Sequence, residues 1–165
     1  MKYFAYGSNM SIRRLKYRTP GVELLGVFTL KQYDLRFHQH GSDGSGKCDA
    51  FFTGSDDDVV WGMVYEINRE EKAYLDTIEG VGSAYEILDV QVENEAGEQL
   101  DVFMYVASAI NPAIKPYSWY KIHVLTGALE GTFPQPYLEK INAVDVLVDD
   151  NKSRELQELA IYQPS

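Results

Sequence analysis

Two groups of residues in this chain have the types and the spacing to do chemistry. The first is Tyr3-Phe4-Ala5-Tyr6-Gly7-Ser8-Asn9-Met10. Its aromatic residues suit a half-buried strand. Gly7 can take a positive φ and lets a ligand come close to the main chain. Ser8 and Asn9 are preferred N-cap residues for a helix beginning near Met10. Strand, small polar turn and helix start together aim unpaired N–H groups at one point, which attracts an oxyanion or a carboxylate. The second group is Leu75-Asp76-Thr77-Ile78-Glu79-Gly80-Val81. Glu79 sits in the last helical turn before a glycine stop, where the helix carries partial negative charge. By helical angle it lies between apolar Leu75 and polar Lys72, at the edge of burial. Both circumstances work against its charge, which suits a carboxylate that must take up a proton near neutral pH.

Other candidates are weaker. His38-x-His40 could chelate, but no third ligand is near, so no metal is expected. His123 lies among Ile122, Val124 and Leu125 in a helical stretch and reads as a packed histidine. Cys48 has no neighbouring histidine or helix start to make it a thiolate. Asp56-Asp57-Asp58 lacks the spacing of a calcium loop. Neither a Gly-x-Ser-x-Gly elbow nor a phosphate-cradling glycine loop occurs. Tyr117, Trp119 and Tyr120 read as core first.

The elements that must position these groups follow from periodicity. Residues 11–17 form a short basic helix with Arg13, Arg14 and Lys16 exposed, ended by Thr19-Pro20-Gly21. Residues 22–30 and 33–37 are β-prone. Residues 38–49, rich in glycine, serine and aspartate, read as a loop, and 50–53 as a short strand. Residues 59–67 are apolar on both alternating faces, marking a strand covered on both sides, with Gly62 at a close approach. Asn68 and Glu71 start a helix that runs to about Ile78. Residues 85–92 and 100–107 are strands joined by an Asn94–Gly97 turn. Residues 117–129 and 135–144 are helical. Residues 1–148 make one domain, and 149–165 a polar, weakly helical tail that docks loosely. The strands cluster, and the helices do not alternate strictly with them. The expected class is α+β, a small mixed or antiparallel barrel with flanking helices.

Composition narrows the function classes. The 165 residues carry 25 acidic against 15 basic side chains, a net charge of -10, which argues against nucleic acid and against an anionic membrane surface. One cysteine cannot build an internal disulfide framework and fits a reducing cytoplasm. No window is long and apolar enough to span a membrane.

Taken together, the sequence resembles the γ-glutamylcyclotransferase family. The resemblance is carried by the opening Tyr3-Phe4-Ala5-Tyr6-Gly7-Ser8-Asn9 and by Val60-Trp61-Gly62-Met63-Val64. It continues in Leu75-Asp76-x-x-Glu79-Gly80-Val81, Tyr120-Lys121 and Gly127-Ala128, in family order from about Tyr3 to Val144. Gly82-Ser83-Ala84 departs from the family pattern. The resemblance implies a barrel with a pocket between the opening loop and the glutamate. It also implies cleavage of a γ-glutamyl amide by attack of its own α-amine, releasing 5-oxoproline with neither metal nor organic cofactor. By carry-over, Tyr3, Phe4, Ala5, Tyr6, Gly7 and Ser8 form the substrate-binding loop, Glu79 is the proton acceptor and Tyr120 contacts the small-molecule substrate. A homodimer is implied in the same way. Two alternatives stay open: a γ-glutamylamine cyclotransferase acting on a biosynthetic intermediate, and a non-catalytic ligand-binding domain on the same fold.

Overall fold

Five strands close on themselves in the computed structural model, which describes residues 1–164. In chain order they are β1 (Lys2–Ala5), β2 (Glu23–Lys31), β5 (Val59–Glu66), β6 (Tyr85–Glu93) and β7 (Gln99–Ala107); the strands between, β3 (Tyr33–His40) and β4 (Gly46–Phe52), form a separate antiparallel pair. Around the barrel the order is β1, β5, β2, β6, β7, all antiparallel except the closure, where Tyr3 of β1 pairs in parallel with Phe103 of β7. The sheet is therefore mixed, and closure removes its free edges. Five helices flank it: α1 (Ile12–Arg18), α2 (Arg69–Glu79), α3 (Ser118–Glu130), α4 (Gln135–Asn142) and α5 (Lys152–Leu159). Among the described residues, no helix is long and apolar enough to cross a membrane.

The double-sided reading of β5 holds. Val60, Met63, Val64 and Tyr65 are all buried in the single core cluster. Gly62 is needed because β1 runs close against it: a Cβ there would sit 2.6 Å from the Ala5 carbonyl oxygen. The start of α2 is also as its sequence implies, with the Asn68 side chain accepting from the Glu71 N–H at 2.8 Å. Gly80, at φ 68°, ends it in the left-handed conformation, and the Val81 N–H returns to the Asp76 carbonyl.

Four local expectations are corrected. Residues 38–49 are not a loop: β3 runs on to His40 and β4 begins at Gly46, leaving only 41–45 as the turn. Gly46 is a glycine for packing, because its backbone lies against the Phe37 carbonyl and donates to the Lys115 oxygen at 2.9 Å. Ser8 and Asn9 do not cap a helix beginning near Met10. A 3₁₀ turn over Ser8–Met10 comes first, and Ser11 is the N-cap of α1. Arg14 is buried, not exposed, beside His123 and ion-paired with Glu158. The segment after 148 is pinned firmly. Asp149 accepts from Trp119 Nε1 at 2.9 Å and takes a two-pronged grip from Arg154 at 2.6 and 2.7 Å. Tyr162 reaches both His123 and Ser11.

Candidate active site

The site is built where the end of β1 meets the end of α2. β1 carries Tyr3 to the barrel mouth, and the chain then breaks through Tyr6 and Gly7 into the 3₁₀ turn. Gly7 has φ −113°, so positive φ is not what requires a glycine there. Space does: a Cβ would lie 2.9 Å from that of Cys48 on β4. The Gly7 carbonyl closes the turn by accepting from Met10, while the N–H groups of Gly7 and Ser8 meet no acceptor among the described residues.

Glu79 ends α2, and its side chain is only 17% exposed. The last turn of α2 holds no basic residue. The missing counter-charge comes from α1 instead, through Arg18 Nη1, 3.3 Å from Glu79 Oε1. Asn9 joins the two. Its Nδ2 donates to the same Oε1 at 2.9 Å and to the Tyr3 hydroxyl at 3.1 Å, and its Oδ1 accepts from Arg18 at 3.0 Å. The expectation of a carboxylate without local compensation is corrected, since a cation 61 residues earlier folds back onto it.

Glu79, Tyr3, Tyr6, Gly7, Ser8 and Tyr120 line one small cavity of about 30 Å³, the size of a water molecule. Through Ser8, Glu79, Tyr85 and Tyr120 its walls continue into a vestibule of about 360 Å³. Phe4 and Ala5 do not line it. Phe4 is wholly buried in the core against Gly62, and Ala5 packs on that same close approach. The residues that sequence reasoning missed are Asn9, Cys48, Tyr85 and Tyr105, which complete the cavity wall, and Arg18 behind Glu79. Asn9 stood in the opening motif but was read only as a cap. Nothing local marks the others, because strands and helices far apart in sequence bring them in.

Five tyrosines thus surround the cavity, and their hydroxyls are ordered. The Tyr120 oxygen accepts from the Cys48 N–H at 2.9 Å, and the Tyr85 hydroxyl donates to the Cys48 carbonyl at 2.8 Å, so both main-chain polar groups of this β4 residue are held by tyrosines. The Tyr6 hydroxyl donates to the Tyr105 carbonyl, and the Tyr105 hydroxyl to Asp76 at 2.6 Å. Burial pushes all five phenols well above their ordinary range, so they stay neutral donors and acceptors. Burial also pushes the Cys48 thiol up, which keeps it from acting as a nucleophile. His38 is taken by Asp49 at 2.7 Å, and no group of three or more potential metal ligands exists among the described residues. A separate cavity of about 700 Å³ between α1, α2 and the C-terminal segment is lined by none of the residues that the sequence marks for chemistry.

This arrangement sets a carboxylate, five neutral phenols and a loop with two unpaired N–H groups around one cavity that opens into a vestibule. Comparison with known proteins bears on the family of the chain. Residues 59–141 match the AIG2-like family. The human γ-glutamylcyclotransferase is 31% identical over 151 residues, which are 87% of this chain and 78% of that protein. A solved γ-glutamyl cyclotransferase structure superposes with a TM-score of 0.86 at 28% identity, covering 98% of both chains. YkqA from Bacillus subtilis gives 0.75 at 25% identity, over 89% of this chain and 56% of that one. With a barrel of this closure, this cavity and relatives at this identity over most of its length, the chain belongs to the γ-glutamylcyclotransferase family.

Proposed function

We propose that this enzyme cleaves γ-glutamyl amides by intramolecular cyclisation, with γ-glutamyl amino acids or dipeptides as substrates. Glu79 takes a proton from the substrate's α-ammonium group, and the freed amine attacks the γ-carbonyl carbon. A new C–N bond closes the five-membered ring, the original amide C–N bond breaks, and the departing nitrogen receives the proton from Glu79 and the second proton shed by the ring nitrogen, leaving as an ammonium. The products are 5-oxoproline and the free amine, and no water is consumed. The observation that carries this reading is that Glu79 shares one cavity with Gly7 and Ser8, whose N–H groups meet no acceptor among the described residues, and that this cavity opens into the larger vestibule. Those N–H groups, with the hydroxyls of Tyr3 and Tyr120, which accept hydrogen bonds within the protein and keep their own hydrogens, supply donors for the α-carboxylate and for charge developing on the carbonyl oxygen. Because nucleophile and electrophile belong to one molecule, holding the folded-back conformer supplies much of the rate. A buried free thiol at Cys48 fits a reducing compartment such as the cytoplasm.

The test is 5-oxoproline release from a panel of γ-glutamyl dipeptides and γ-glutamylamines. Turnover of the dipeptides and its loss in Glu79→Gln, with the fold retained, is the expected result. A wild-type protein that releases no 5-oxoproline from any member overturns the reading, and near-wild-type turnover by Glu79→Gln overturns the base assignment. Preference for the amines moves the substrate class.

A further inference from the structure

Arg18 is the last residue of α1 and faces Glu79. Two donors, Arg18 Nη1 at 3.3 Å and Asn9 Nδ2 at 2.9 Å, converge on Glu79 Oε1, and Arg18 also donates to Asn9 Oδ1 at 3.0 Å. The three side chains therefore close a ring of contacts. Glu79 Oε2 receives no donor among the described residues. The geometry points to Arg18 as a positioning residue for the ring-forming reaction: with Asn9 it pins Oε1 and leaves Oε2 as the oxygen that accepts the proton. This rests on Glu79 being the base.

The physical need is plain. A glutamate at a helix end has three rotatable torsions, and fixing such a side chain costs conformational entropy. Proton transfer demands hydrogen-bond reach, so a freely rotating carboxylate would occupy the productive geometry only part of the time. Arg18 is itself well placed to act as a fixed post. It stands at a helix C-terminus, where a cation is favoured. One turn earlier, Arg14 is tied to Glu158 and lies 2.9 Å from His123, and Ser11 caps the start of α1. The charged or titratable groups around Arg18 are Glu79 from α2, Tyr3 from β1, Glu158 from α5 and Arg14 from its own helix. Among these, Glu79 is the one it contacts in an ion pair.

The experiment compares wild type, Arg18→Gln, Arg18→Lys and Glu79→Gln for 5-oxoproline release across pH, with thermal unfolding measured in parallel. Arg18→Gln is expected to lose about 10- to 100-fold in kcat with KM changed less than about threefold. Arg18→Lys keeps the charge without the planar fork and is expected to recover part of the loss. The inference is overturned by kcat within about twofold of wild type, by a loss confined to KM, or by a loss of kcat that Arg18→Lys does not recover even in part. Where Arg18→Gln does not fold, Arg18→Lys decides: reduced kcat supports the role and wild-type kcat overturns it. An active wild type and an inactive Glu79→Gln beside an unimpaired Arg18→Gln would sink this inference alone. An inactive wild type would sink the proposed reaction with it.

Discussion

Tyr120 shows how one hydroxyl serves both fold and site. Its oxygen accepts the Cys48 N–H in a buried setting, and it also lines the cavity. Tyr120→Phe keeps the ring, which packs edge-on against Phe37 and Trp119, but leaves that N–H without an acceptor. The expected loss is about 1–3 kcal/mol of stability, read by urea unfolding, together with a fall in kcat/KM. Unchanged stability would mean that another acceptor takes the Cys48 N–H. The same clamp explains why Gly7 must be a glycine. Cys48 is held at both its N–H and its carbonyl, which resists its yielding to a Cβ on the opening loop.

At the scale of elements, the opening loop is set by α3 as much as by β1. Gly127 on α3 lies directly over the 3₁₀ turn, where a Cβ would stand 2.7 Å from the Ser11 nitrogen and 2.8 Å from the Met10 carbonyl carbon. Those neighbours are backbone and cannot swing aside. Gly127→Ala is therefore expected to cost about 1–3 kcal/mol by overpacking. It should also reduce 5-oxoproline release, since relief of the clash pushes the turn that carries Ser8 and Asn9. Alanine is the better helix former, so a more stable Gly127→Ala variant would contradict the contact.

Across the whole molecule, the C-terminal segment is tied to the barrel-side helices through a buried charged cluster, and this makes stability depend on pH. Burial, together with neighbouring Arg14, pushes His123 down to about 4 from 6.5, although the Glu158 carboxylate pulls the other way. Between those values the unfolded chain binds a proton that the folded chain refuses, so stability falls as pH falls from about 6.5 towards 4. Burial alone would raise Glu158, but its bonds from His123 and Arg14 bring it down to about 2 from 4.5. That contribution is present above 4.5 and is lost as pH drops towards 2. Both groups thus destabilise the fold in acid, one after the other. Denaturant unfolding at pH 7 and pH 4.5 should show a loss of about 2 kcal/mol from position 123, and His123→Gln should flatten it. An equal slope in the variant would remove His123 from the account.

The sequence by itself determined the elements whose signals are local. The double-sided apolar run of β5, the Asn68 cap and Gly80 stop of α2, and the Asn94–Gly97 turn are each written in neighbouring residues, and they were enough to expect a small mixed barrel. It also singled out Glu79 and the opening loop, because a carboxylate before a glycine stop and a polar turn after a strand are local patterns too. Tertiary structure alone decided what surrounds them. Residues 41–45 narrow to a turn because β3 and β4 pair, and glycines chosen for close backbone contact look like loop residues in a one-dimensional reading. Arg14 is buried and Arg18 meets Glu79 only because α1 is folded back against α2 and the C-terminal segment. Tyr85 and Tyr105 reach the cavity by the register of two barrel strands, and strand alternation with close packing turns Phe4 away from it. Contacts between residues distant in the chain depend on register, closure and packing, none of which any short stretch of residues encodes.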